Sequence, residues 1–186
     1  MQPDRSTDRS LSRRGAAVAF ACAVAANLAV AGLVVGWRAP ASAPAPALSP
    51  SAWLRQPGPN AAALRDSVTL IAFLRPGDQG AGALVSRLTA WHHRYHGAGL
   101  QVVGVCLVDP GATVDRGVVG ALFGRDPAFP VAIDTELACA RGYGVRTSPA
   151  LVAVDRSGRI RSVFDQAGRW DDVQPTLSAL LAEPAR

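Results

Sequence analysis

Cysteine is scarce in this 186-residue chain, and lysine is absent. The three cysteines are Cys22, Cys106 and Cys139. Cys22 lies in an apolar N-terminal stretch, which leaves two cysteines for the rest of the chain. Two cysteines are too few for a disulfide framework, although a single Cys106–Cys139 disulfide is left open by the sequence. No two cysteines have the C-x-x-C spacing of a dithiol site.

Because lysine is absent, all of the positive charge comes from arginine. The 19 arginines outnumber 14 acidic residues, for a formal net charge of +5. Residues 1–38 hold five of these arginines and two aspartates, so the remaining 14 arginines and 12 acids leave only +2 for the rest. Nucleic-acid-binding domains carry a concentrated basic patch. We therefore expect no nucleic-acid partner.

A long run without charge begins after residue 14. It ends at Gly36, and Trp37 and Arg38 follow it directly. A helix of roughly 22 residues, at about 1.5 Å per residue, crosses a hydrocarbon core of about 30 Å. Tryptophan and arginine are frequent at the membrane surface. The pattern predicts a transmembrane helix over residues 15–37 that acts as a signal anchor.

The orientation of this helix follows from the arginines before it. Residues 1–14 end in Arg13-Arg14, which predicts a cytoplasmic basic tail and a single-pass protein of the inner membrane with a periplasmic or otherwise extracytoplasmic C-terminal domain. A cleaved signal peptide is the alternative, with a weak cleavage site at Ala45-Pro46-Ala47 and a weak twin-arginine start. The apolar regions of signal peptides span only about 7–15 residues, so the length favours the anchor.

Residues 38–65 are interpreted as a linker and lead-in. Residues 39–50 contain only alanine, proline, serine and leucine, a composition typical of stiff, extended spacers. We expect this spacer to hold a folded domain, residues 66–183, away from the membrane.

The domain begins with a strand, a loop and a helix. Val68–Leu74 is a short apolar run that predicts a buried strand, and Arg75-Pro76-Gly77-Asp78 ends it with turn residues. A helix is predicted from about Gly80 to His96. Asp78 stands where a helix N-cap belongs, so its carboxylate is expected to accept hydrogen bonds from the first turn. The loop lies at the carboxyl end of the strand, where open α/β sheets place their sites.

Strands and helices alternate through the rest of the chain, which predicts an α/β fold with a mixed sheet. The first three strands require parallel pairing through helices, and a final hairpin adds antiparallel strands before the last helix. The predicted strands are 100–108, 129–133, 150–154 and 159–164, and the predicted helices are 113–123, 135–142 and 171–181.

Four segments in this order resemble the thioredoxin-like superfamily, in particular membrane-tethered redoxins and the alkyl hydroperoxide reductase/thiol-specific antioxidant group. They are the stretch 69–88, LQVVGVCLVD, FPVAIDTELACARGYGV and TSPALVAVDRSGRI. The resemblance covers about residues 66–182. It implies a three-layer sandwich with helices on both faces of a central mixed sheet. It also implies that Pro149 is the cis-proline that faces the active-site loop.

The sequence departs from these families in its chemistry. The resemblance aligns a thioredoxin C-x-x-C pair with Asp78 and Ala81, and it aligns the peroxidatic cysteine of peroxiredoxins with Ala83. Thiol–disulfide exchange and peroxide reduction both need a thiolate. The resemblance therefore brings no catalytic residue to this chain. No cofactor is implied either.

The remaining candidates have ordinary structural interpretations. Cys106 lies within an apolar strand, where free cysteine is commonly buried. Cys139 lies on a helix with little nearby to lower the pKa of its thiol. His92, His93 and His96 cluster at one helix end without a carboxylate or thiol at ligand spacing, so we expect a solvated helix end and no metal site.

The sequence thus favours a pseudoenzyme. In the first hypothesis, the chain is a non-catalytic binding or chaperone-like module of envelope redox homeostasis or cytochrome assembly. Arg75, Asp78, Ser148 and Pro149 would hold a polypeptide or an envelope protein partner. In the second hypothesis, it is a redoxin-type thiol oxidoreductase that uses a displaced cysteine, Cys139. A structural spacer in a membrane complex is the third.

Overall fold

The computed structural model describes residues 43–54, 58, 64–165 and 167–184. The predicted basic tail, residues 1–14, and the predicted membrane helix, residues 15–37, lie outside these ranges. Within the described ranges, every helix is too short or too polar to cross a bilayer.

A six-stranded mixed sheet forms the centre of the fold. In space the strands follow the order β1-β4-β3-β2-β5-β6. Strands β2, β3 and β4 are parallel, whereas β5 pairs antiparallel with β2, β6 with β5, and β1 with β4. The mixed sheet predicted from the sequence is confirmed. The strands are β1 (Ala52–Trp53), β2 (Val68–Leu74), β3 (Leu100–Leu107), β4 (Val131–Asp134), β5 (Ala150–Val154) and β6 (Ile160–Phe164).

Layers on both faces cover the sheet. The helices are α1 (Ala81–Tyr95), α2 (Arg116–Phe123), α3 (Ala138–Gly142) and α4 (Val173–Ala182). Helices α1, α2 and α4 share one apolar cluster with alternate residues of β2, such as Leu70 and Leu74. Helix α3 shares the other cluster with Ile71 and Phe73. All seven residues of β2 are buried, as its continuous apolar run predicts for a central strand.

Side-chain caps move two helix starts from their predicted positions. Helix α2 begins at Arg116 rather than at Thr113, because the Asp115 carboxylate accepts a hydrogen bond from the Gly117 amide at 2.7 Å. Helix α3 begins at Ala138 rather than at Thr135. The Asp134 carboxylate accepts from the amides of Ala138 (2.9 Å) and Ala140 (3.1 Å), so this aspartate caps the helix from further upstream than expected.

Residues 43–50 of the predicted spacer differ from the extended form expected for them, and so does the start of the lead-in, residues 51–54. These residues pack on the sheet, and Ala52–Trp53 forms the edge strand β1. Amide groups of the segment donate to carbonyls of the domain: Ala45 to Gly158 at 2.8 Å, and Leu54 to Val131 at 2.8 Å. Proline is common here, but the residues between the prolines keep their amides. The sheet edge and the β5–β6 hairpin offer carbonyls to pair with them.

Candidate functional site

The loop between β2 and α1 folds back on itself around Asp78. The Asp78 amide donates to the Arg75 carbonyl at 3.2 Å, and the Asp78 carboxylate accepts from the Arg75 amide at 2.7 Å. Helix α1 starts after Gly80, which has φ 78° and provides no side-chain cap. The prediction that Asp78 is the N-cap of α1 is therefore wrong. Its carboxylate instead closes the loop and reaches a neighbouring segment.

That neighbouring segment is the turn before β5. The Ser148 hydroxyl donates to the Asp78 carboxylate at 3.2 Å, and the Ser148–Pro149 peptide bond is cis, as the resemblance implies. The Thr147 hydroxyl donates to the Asp165 carbonyl at 3.2 Å, which ties the turn to the end of β6. The structure thus brings Asp78, Ser148 and Pro149 together at one edge of the sheet. All three are half-buried.

The fourth predicted residue, Arg75, joins this group through its main chain only. Its guanidinium forms an ion pair with Asp109 on the next loop and is about one-third exposed. Asp109 was not among the predicted site residues. It follows β3, which is parallel to β2, so the two loops leave the same edge of the sheet. That rule was available from the sequence and would have identified Asp109.

A small apolar cavity lies beside the Arg75–Asp109 pair. Its volume is about 250 Å³, and its walls include Pro76, Leu107 and Val118. Val118 is the one large hydrophobic side chain that is exposed within the described residues, at 43%. The edge of the sheet therefore combines a polar loop with an accessible apolar recess.

Cys106 lies beneath this edge, opposite Leu74 in the parallel register of β2 and β3. Its side chain is fully buried. Burial raises the pKa of the Cys106 thiol to about 11, and the negative charge of Asp78 adds to this effect. Because thiolate is the reactive form, this cysteine is held inert at neutral pH.

Cys139 lies on α3, on the sheet face opposite to α1 and Cys106. It is 3% exposed. Burial raises the pKa of its thiol, and the carboxylate of Asp134 adds to the shift. Both cysteines are free, so the disulfide that the sequence left open does not form. The geometry gives no support to a displaced nucleophile at Cys139.

The three histidines lie at the C-terminal end of α1 and in the turn after it, with His93 and His96 exposed. The rings of His92 and His96 are 4.9 Å apart, and His92 packs edge-on against Phe129 at 6.2 Å. Burial lowers the pKa of His92, and the neighbouring His96 and His93 lower it further. Among the described residues, no three metal-ligating side chains form a cluster.

Comparison with known proteins shows likeness in structure but not in sequence. No family model matches the chain, and no curated protein matches it. Solved structures do match. A thioredoxin-like protein in its oxidized form shares 19% identity over 77% of this chain and 97% of its own, with a TM-score of 0.67.

Two further structures carry the names of thiol-disulfide enzymes. A thiol-disulfide isomerase from Corynebacterium glutamicum has 23% identity over 75% of this chain and 98% of its own, with a TM-score of 0.63. A secreted Mycobacterium tuberculosis disulfide oxidoreductase homologous to E. coli DsbE has 17% identity over 65% of this chain and 87% of its own, with a TM-score of 0.54. At these identities, the likeness establishes a shared fold.

Proposed function

We propose that this chain of thioredoxin-like fold is a non-catalytic, membrane-anchored module that binds an extended polypeptide of an envelope protein partner. The proposed binding site, called the groove below, is the surface formed by the Asp78 loop and the Ser148–Pro149 turn. The observation that best supports this proposal is the hydrogen bond from Ser148 to Asp78. The Asp78 carboxylate stands at the position where a redox member of this fold needs a thiol.

The chemistry of the groove supports binding without disulfide exchange. Exchange requires a thiolate that attacks a disulfide sulfur, and a carboxylate forms no mixed disulfide. Residues 75–83 contain no sulfur. Cys106 and Cys139 are both buried, with pKa values raised by that burial. Neither thiol can reach a polypeptide in the groove without unfolding of its surroundings.

The surface around the groove supports a polypeptide as the ligand. The loop exposes Pro76, Gly77 and Gln79, and the cavity at Val118 offers an apolar recess for one side chain. Two of the similar solved structures are named as a thiol-disulfide isomerase and a disulfide oxidoreductase. Without a thiol, this surface can still bind an extended polypeptide.

The cellular location belongs to the proposal as well. It rests on the uncharged run over residues 15–36 and on the arginines before it, which favour an inner-membrane anchor with an extracytoplasmic domain.

Site-specific photocrosslinking in the native membrane tests the groove. A photoreactive amino acid at Gln79, on the exposed loop, should capture a polypeptide from the envelope. The same group at the exposed Ser86, further along α1, serves as the matched control. Asp78→Ala and Pro149→Ala should weaken the adduct at position 79. Equal adducts at positions 79 and 86, or none at 79, would contradict the proposal.

Thiol labelling tests the enzymatic alternative. In the native full-length chain at neutral pH, iodoacetamide should leave Cys106 and Cys139 unmodified, and both should react after denaturation. Peptide mapping by mass spectrometry reads each site separately from Cys22. Rapid native labelling of Cys139, together with disulfide reductase turnover that Cys139→Ser abolishes, would replace the binding module by an enzyme.

A further inference from the structure

All three histidines of the chain lie at the C-terminal end of α1, which is the end away from the Asp78 loop. Helix α1 has 15 residues, so at about 1.5 Å per residue its two ends are roughly 22 Å apart. The histidines are therefore remote from the groove. What they bind is a question separate from the binding of a polypeptide.

The helix places His92 and His96 on the same face. The His96 amide donates to the His92 carbonyl, which is the bond between residues four apart in a continuing helix. Side chains at this spacing lie one above the other. The rings of His92 and His96 are accordingly 4.9 Å apart, with 39° between their planes. Two histidines four residues apart on one helix face are a known arrangement of metal ligands.

The distance between these two rings fits one metal ion bound to both. A metal–imidazole bond is about 2.0–2.1 Å long, so each ring centre would lie roughly 3.2 Å from the ion. Two imidazoles at neighbouring coordination positions, with an angle of about 90–110° at the metal, then have ring centres roughly 4.5–5.2 Å apart. The observed 4.9 Å falls within this range. Both rings can therefore bind one ion without a change in the backbone.

Each ring has a nitrogen that an ion can reach. The Nδ1 atom of His92 is buried, so it is not the ligand atom. The Nε2 atom of His92 is neither buried in this way nor hydrogen-bonded to another described residue. His96 is exposed, so its ring can turn either nitrogen toward an ion beside His92.

The surroundings of the pair favour a cation that prefers nitrogen ligands. The C-terminal end of a helix carries the negative end of the helix dipole, which stabilises a positive charge. Within the described residues, no third histidine, cysteine, aspartate or glutamate completes a metal site with this pair. Mg²⁺ and Ca²⁺ need several oxygen ligands, whereas imidazole suits Cu²⁺, Ni²⁺ and Zn²⁺. Among these three ions, a given nitrogen site binds Cu²⁺ most tightly.

We propose that His92 and His96 form a two-histidine site for Cu²⁺ at the C-terminal end of α1. The Nε2 atom of His92 and one ring nitrogen of His96 are the protein ligands, and water occupies the remaining positions. The sequence indicated no metal site because no carboxylate or thiol stands at ligand spacing. A Cu²⁺ ion that keeps bound water does not require one.

Titration of the full-length chain in detergent with Cu²⁺ tests the site. Electron paramagnetic resonance should show one ion per chain, with hyperfine splitting from directly bound nitrogen. His96→Gln keeps an exposed polar side chain and removes one ligand, so the affinity for Cu²⁺ should fall at least about tenfold. His92→Gln should have an effect of similar size. Zn²⁺ should displace Cu²⁺ poorly, as the order of affinities predicts.

His93→Gln is the variant for comparison. The His93 ring stands edge-on to His92, and the ring centres are 5.8 Å apart. This variant should bind Cu²⁺ within about threefold of the wild type, the size of a surface charge effect. Thermal unfolding without metal shows whether each variant is folded, and the exposed position of His96 makes its variant decisive. Absence of nitrogen splitting, unchanged affinity in His96→Gln, or an equal loss in His93→Gln would overturn the proposal.

Discussion

The two ends of β2 differ in how their polar groups are satisfied. At the carboxyl end, Asp78 accepts from Ser148 and from the Arg75 amide, and Arg75 pairs with Asp109. At the amino end, Thr69 and Arg156 each have a buried donor without a partner among the described residues, in the wall of a cavity. The polar groups of the Asp78 loop are paired with one another, whereas two buried donors at the opposite end have no partner among the described residues.

This contrast separates the position of a site from its chemistry. In this fold, the loop after β2, the start of α1 and the turn before β5 lie close together, whether or not the loop contains a reactive residue. Reaction requires a particular atom at that place, and the loop has a carboxylate there. The cavity at the other end is not a property of the strand order. It depends on the packing of residues 45–48 against the sheet.

Restoring sulfur to the carboxyl end should give the largest effect. The double variant Asp78→Cys/Ala81→Cys places a C-x-x-C pair from the loop to the first residue of α1, where the helix N-terminus lowers the pKa of the thiol at position 81. We expect disulfide reductase activity at least about tenfold above that of the wild type, measured with insulin as substrate. Asp78→Cys alone is the control. If the double variant folds but its reductase activity equals that of the wild type, polypeptides do not enter the groove.

Asp155, beside the amino end of β2, should give the next largest effect. Its buried carboxylate accepts from the Ser157 hydroxyl (2.6 Å), the Arg159 amide (3.0 Å) and the Arg161 guanidinium (3.2 Å). Burial would raise the pKa of Asp155, but these hydrogen bonds outweigh it and lower the pKa below its usual value. Asp155→Asn should therefore reduce the free energy of unfolding at pH 7 by about 2–3 kcal/mol.

Because the pKa of Asp155 is lowered in the folded state, its contribution to the free energy of unfolding depends on pH. A carboxylate with a lowered pKa stabilises the fold above the pKa of the unfolded state, about 3.9, and loses that contribution as the pH falls through the folded value. Urea unfolding at pH 7, 4 and 3 should thus show the gap between the wild type and Asp155→Asn narrowing below pH 4. A gap that stays constant would assign the loss to packing.

A matched pair of substitutions compares the two ends directly. Ser148→Ala removes a hydroxyl that has a charged partner, and should lower the free energy of unfolding by about 1 kcal/mol. Thr69→Val removes a hydroxyl that has none, and should raise it by up to about 1 kcal/mol. Both are measured by urea unfolding without added ligand. Destabilisation by Thr69→Val would mean that its hydroxyl is satisfied in solution.

The smallest predicted effect concerns His92 near the C-terminal end of α1. Because burial lowers the pKa of His92, the folded state resists its protonation, and stability should fall as the pH drops below about 6.5. His92→Gln should remove this part of the pH dependence. Unfolding of the wild type and the variant at pH 7.5 and 5.5 measures it. The same pH dependence in the wild type and in His92→Gln would contradict the prediction.

The residues of the central strands made much of the fold predictable. The bounds of Val68–Leu74 and Ala150–Val154 agree with the structure, because continuous apolar runs between turn residues leave few other arrangements. The order of elements also predicted which strands pair in parallel. Predictions failed where a contact with a distant segment overrode the structure that the local sequence pattern favours. Asp78 fits an N-cap by sequence, but Ser148 lies 70 residues away and binds its carboxylate.

The packing of residues 43–54 was missed for the same reason. Alanine and proline are typical of an extended spacer, and nothing local indicates that Ala45 pairs with Gly158 or that Leu54 pairs with Val131. The cavity at Thr69 was missed with it, since this segment forms one of its walls. The sequence does not indicate whether the hydroxyl of a threonine in a strand will have a hydrogen-bond partner.

The sequence by itself determined that no thiol stands between β2 and α1, because that is a matter of residue identity. It also determined the alternation of strands and helices, which follows from apolar periodicity. Only the tertiary structure decided that Asp78 bonds to Ser148, that Cys139 faces away from the groove, and that Thr69 and Arg156 border one cavity. Each of these depends on contacts between segments far apart in the chain, and local propensities carry no information about such contacts.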